Sequence, residues 1–90
     1  MPAYRFFIHG RVALKDGIKG FYTTRMAEGV NEAAARVKAL ALLTREWDSG
    51  EYRVVRLGGL PVLDVEESWQ IDESGIEEAP DTGYTFYRDL

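Results

Sequence analysis

The sequence predicts an α+β domain: an antiparallel sheet of four to five strands in ββαβββ order, with one helix packed on one face and the sheet either open or bent toward a barrel. Three observations predict it. Residues 4–14 alternate apolar and polar side chains with period two, the signature of a strand with one buried face. From Asn31 to Trp47 an Ala-, Leu-, Arg- and Lys-rich stretch repeats its apolar residues at steps of three and four. The remainder consists of short β-prone runs separated by Gly, Pro, Asp and Asn. A chain of 90 residues holds one core and therefore one domain, residues 1–90.

Tyr4, Phe6, Ile8, Val12 and Leu14 share one face of the first strand, and Arg5, Phe7, His9 and Arg11 the other. Lys15-Asp16-Gly17 supplies turn chemistry, because Gly accepts positive φ. Ile18–Ala27 resumes as the second strand of a hairpin, with Lys19, Phe21, Thr23 and Arg25 assigned to the face of Arg5. Glu28-Gly29-Val30 ends it. Asn31 is an N-cap, and Glu32 follows in the first turn, where its charge suits the helix dipole. Ala33, Val37, Leu40, Thr44 and Trp47 form the core-facing stripe, widened by Ala41 and Leu43. Leu42 falls opposite, where it matters only if it joins Ala35 and Ala39 in a second contact surface. Gly50 is placed as a left-handed cap. Glu51–Leu57 reads as a third strand, and Gly58-Gly59 as a turn or bulge. Val62–Ile71 alternates again, with Leu63, Val65, Trp69 and Ile71 on one side. Glu67 interrupts that side, which points to a bulge or a partner-facing site. Residues 72–83 form an acidic loop. Residues 84–88 form a C-terminal strand whose aromatics join their own sheet or that of a neighbouring chain.

Charge is unevenly distributed. Residues 1–60 carry ten basic and six acidic side chains, whereas residues 61–90 carry one basic and nine acidic. Such a chain can fold one half on the other or dock on a copy of itself. The chain contains no cysteine, so disulfides, thiolate chemistry and cysteine zinc sites are excluded. There is no apolar run of about 18 residues to span a bilayer, and no signal peptide, so the expected setting is cytoplasmic with no membrane partner. His9 is the sole histidine and sits between two cations. Glycines 58 and 59 make no phosphate loop, and the carboxylates of residues 66–81 lack the spacing of a calcium loop. These absences predict no catalytic residues, no metal and no cofactor.

The most suggestive surface is basic and aromatic. Arg5, Phe7, Arg11 and Arg25 alternate along the first two strands, and cations interleaved with rings suit single-stranded nucleic acid. Val55-Arg56-Leu57-Gly58-Gly59-Leu60-Pro61-Val62 resembles the second motif of Sm-like proteins, in which an apolar residue, Arg and Gly precede a short turn and an apolar strand. The resemblance implies a bent five-stranded barrel, ring assembly by strand pairing, and RNA bound near Arg56 and Gly58. The helix, however, lies between strands two and three rather than before the first. The reading that unites these features is a small non-enzymatic module that self-associates through strand edges, most simply as a dimer, using Tyr84, Phe86 and Tyr87. The alternatives are an RNA binder acting through Arg5, Phe7, Arg11, Arg25 and Arg56, and an acidic inhibitor or antitoxin-like partner of a basic protein.

Overall fold

The computed structural model describes residues 2–71 and 83–88. Strands β1 (Ala3–Arg11), β2 (Ile18–Glu28), β3 (Val62–Ile71) and β4 (Thr85–Arg88) form one antiparallel sheet in the order β3-β1-β2-β4. Helix α1 (Glu32–Ser49) lies on one face. The architecture is α+β, with an open sheet whose edges are β3 and β4, not a barrel.

The first hairpin forms as its alternation dictates. β1 and β2 pair from Ala3↔Glu28 to Arg11↔Gly20, and the ladder continues through Val12 N–H to Lys19 O at 3.1 Å and Leu14 N–H to Ile18 O at 2.9 Å. Gly17 closes the turn at φ 88°, a conformation that L side chains resist. β2 and β3 run parallel with β1 between them, so α1 is the crossover that joins two non-adjacent strands.

The core gathers Phe6, Ile8, Val12 and Leu14 from β1, Phe21 from β2, and Ala35, Ala39, Leu43 and Trp47 from α1. Trp47 is fully buried, stacked on Phe21 with centroids 5.1 Å apart. The buried stripe therefore runs at steps of four through Ala35, Ala39, Leu43 and Trp47, not through Ala33, Val37 and Thr44; Val37 is 69% exposed. The physical reason is size. Alanines let the helix sit close to the sheet, so the large side chains at the far end fill the space and Val37 turns outward. Ala35 and Ala39 are thus the real contact, while Leu42 stays exposed. Asn31 caps the helix as expected, its Oδ1 accepting from Ala34 N–H at 2.9 Å. Gly50 is not left-handed; its backbone is extended at φ −89°, and glycine is required because a Cβ would overlap the Glu46 carbonyl to which its own N–H donates.

Glu51–Leu57 is not a strand. Glu51–Val54 forms a 3-10 helix, followed by an isolated bridge of Arg56 to Leu14. Tyr52 stacks on Trp47 with centroids 4.6 Å apart, and that packing draws the segment under the helix end instead of along a sheet edge.

Two face assignments change. On β2 the register sets Tyr22 opposite His9, Thr24 opposite Phe7 and Met26 opposite Arg5, so these share the face away from the helix, while Phe21, Thr23 and Arg25 are buried on the helix side. On β3 Phe7 pairs with Glu67 but Ile8 with Val65, which leaves Glu66 as the extra residue of a bulge. The interruption expected at Glu67 is this bulge. It inverts the alternation: Leu63 and Val65 pack toward the core, whereas Trp69 and Ile71 turn to the opposite face.

The C-terminal strand joins its own sheet, with Phe86 opposite Phe21 and Tyr87 opposite Gly20. The acidic loop lies outside the described residues, apart from Gly83. Among the described residues no helix is long and apolar enough to cross a membrane.

Candidate functional site

The sheet face opposite α1 collects side chains from all four strands. β1 contributes Arg5, Phe7, His9 and Arg11, β2 contributes Tyr22 and Met26, β3 contributes Asp64, Glu67 and Trp69, and β4 contributes Tyr87. No described residue of α1 reaches this face, because the helix packs on the other side through Phe6, Ile8 and Phe21.

Its centre is an aromatic ladder. Phe7 stacks on Tyr22 at 5.4 Å with the planes 9° apart, and the His9 imidazole stacks on the same Tyr22 at 4.7 Å. The Tyr87 ring tilts against Tyr22 at 5.7 Å. From there its hydroxyl lies 2.5 Å from His9 Nε2. The reach depends on Gly20, where any Cβ would overlap the Tyr87 hydroxyl. On the other side of the imidazole, Glu66 Oε1 lies 3.7 Å from Nδ1. The bulge supplies this carboxylate; without the extra residue the alternation would deliver another side chain to that position. Arg11 pairs with Asp64 at 3.4 Å. A cavity of about 200 Å³ opens beside the ladder, walled by Phe7, Tyr22, Thr24 and Thr85.

The residues expected to bind nucleic acid are only partly brought together. Arg5, Phe7 and Arg11 share this face. Arg25 does not: it lies on the helix side, donating to Thr23 Oγ1 at 3.0 Å and paired with Glu46 of α1. Its removal from the surface follows from the register and from the carboxylate waiting on the helix. Arg56 lies beyond the 3-10 helix, donating to Gly58 O at 2.6 Å, so the segment that resembles an Sm motif forms a turn. Asp64, Glu66 and Glu67 stand beside the arginines, which makes the face one of mixed charge.

Of the C-terminal aromatics, Tyr84 and Phe86 pack against the core and Tyr87 joins the ladder. Tyr84 donates to Glu46 Oε1 at 2.7 Å beneath the Arg25 guanidinium, 5.0 Å from its ring centre. Burial, and then this bond to a carboxylate, hold its phenol well above the ordinary tyrosine range. Tyr22 and Glu66 were not singled out by sequence reasoning as site residues. The sole sequence signal for Glu66 is the broken alternation beside it; Tyr22 becomes visible only once the hairpin register is fixed.

No protein-family model matches the chain, and neither the curated proteins nor the solved structures contain a match to it.

Proposed function

We propose that this chain is a small binding and assembly module whose partner is a second copy of itself, and that the contact is the sheet face opposite α1. The observation that carries the reading is that face: rings of Phe7, Tyr22 and Trp69 at its surface, Trp69 40% exposed, flanked by a row of carboxylates on β3 and a row of arginines on β1. A copy turned about a two-fold axis parallel to the strands and set between β3 and β1 lays each β3 along the other copy's β1, with Trp69 over Arg5, Glu67 over Phe7 and Asp64 over His9, so the carboxylates lie along a strand that carries Arg5 and Arg11. The strand edges are weaker candidates than the sequence suggests. β3 carries a bulge and three carboxylates, and β4 has only four residues, both common ways of blunting an edge.

Sedimentation equilibrium of the wild type, Trp69→Ser and Arg11→Glu tests the proposal. The wild type is expected to dimerise, with both substitutions weakening association roughly tenfold or more while the circular dichroism is unchanged. A wild type that stays monomeric at high micromolar concentration overturns it, and salt-sensitive binding of single-stranded RNA by that monomer would put the nucleic-acid reading in its place.

A further inference from the structure

We propose that Tyr87 is a nucleophilic tyrosine, with His9 as its general base, able to accept an acyl group from an activated ester. The inference concerns side chains of one chain and does not depend on dimerisation. Three features of the geometry carry it. The Tyr87 hydroxyl is 2.5 Å from His9 Nε2, within direct proton-transfer range. The imidazole is held by stacking on Tyr22 at 4.7 Å and backed by the Glu66 carboxylate, 3.7 Å from Nδ1, which stabilises the imidazolium formed on transfer. The hydroxyl rests over Gly20, where an added Cβ would overlap both it and the Gly10 carbonyl, so its close approach to β2 needs a glycine there.

The step balances without a cofactor. Tyr87 Oη attacks the ester carbonyl while its proton passes to His9 Nε2. The tetrahedral intermediate collapses with loss of the alkoxide or aryloxide, which takes a proton from His9 or leaves as the anion. The products are a Tyr87 aryl ester and an alcohol or phenol. The titratable and charged groups facing the imidazole are Tyr22 of β2, Tyr87 of β4, Glu66 and Asp64 of β3, and Arg11 along β1.

The probe is p-nitrophenyl acetate, with acetylation of each tyrosine followed by peptide mass spectrometry on dilute protein, so that association neither hides the hydroxyl nor enters the rate. Tyr87 is expected to be acetylated roughly tenfold or more faster than Tyr22, which is 37% exposed and meets His9 through its ring. The Tyr87 rate should rise with loss of a single proton and level off well below the phenol range of about pH 10, as assistance by a neighbouring base requires. His9→Phe should bring Tyr87 down to the Tyr22 rate, and Glu66→Gln should lower it in part. The pH profile of the wild type serves as the test if His9→Phe does not fold. Equal rates at the two tyrosines, a Tyr87 profile that follows the phenol range, or acetyl recovered on His9 alone would each overturn the proposal.

Discussion

Replacing Glu46 by Gln removes the charge that α1 brings to the buried arginine of β2. The Arg25 side chain is 10% exposed and that of Glu46 41% exposed, so the guanidinium is the desolvated member of the pair. Gln removes the counter-charge and keeps one amide oxygen to accept from Arg25 or Tyr84, with an NH2 in place of the other carboxylate oxygen. Breaking a fully buried pair by neutralising one partner costs about 3–5 kcal/mol. Water reaches Glu46, so the Coulombic part is screened, and the structure supports about 2 kcal/mol. At about 2 cal/mol/K per residue of unfolding entropy, that lowers Tm by about 10 °C. Urea denaturation followed by tryptophan fluorescence reports it directly, since Trp47 sits one residue along the helix, stacked on Phe21. The same reasoning makes a second demand. Arg25→Met, Glu46→Leu and Tyr84→Phe combined should recover to within about 1 kcal/mol of the wild type, because apolar side chains of similar volume remove the desolvation cost along with the attraction. A Glu46→Gln protein within about 0.5 kcal/mol of the wild type, or a triple variant less stable than the single, would refute the assignment of Arg25 as a desolvated charge.

Three further outcomes follow from other parts of the fold. Tyr84 keeps its proton in the folded state above the pH at which a free phenol ionises, so its contribution is complete below about pH 10 and is lost as pH rises toward the higher folded value; urea unfolding at pH 9 and 11 should show a decline that Tyr84→Phe reduces. Gly17→Ala should destabilise by about 1–2 kcal/mol, measured by thermal denaturation, because φ 88° forces a Cβ into the left-handed region. Val37→Lys should leave stability within about 0.5 kcal/mol, while Ala39→Lys should prevent cooperative unfolding by placing an ammonium against the sheet; equal effects at the two positions would contradict the observed helix orientation.

The elements legible in the sequence were those whose signal is local. β1 alternates cleanly because one of its faces is buried from Phe6 to Leu14, and Asn31 announces the start of the helix with a side chain that can cap it. What the sequence concealed was orientation. An alanine is as compatible with a helix's buried face as with its exposed one, so Ala33 and Val37 looked as good a stripe as Ala35 and Ala39. Arg25 reads as a solvent residue until Glu46, 21 positions away, is seen to meet it. The turn of Trp69 away from the core depends on Glu66 being left unpaired, a property of the β1–β3 register and not of β3 alone. For the same reason half of the candidate site was visible. Phe7 and His9 announced a common face, but Glu66 and Tyr87 converge on the imidazole from strands that start 53 and 76 positions after His9 does, measured from residue 9 to Val62 and Thr85.

The placement of β4 has a consequence for biogenesis. It docks beside β2, on the far side of the sheet from β3, and it is synthesised last of the four strands. Until it leaves the ribosome, Phe21 and Trp47 lack the Tyr84 and Phe86 rings that close over them. A nascent chain therefore carries a wet aromatic seam and an unpaired β2 border from the time the helix forms until β4 emerges, and this is the stage at which a chaperone has something to hold.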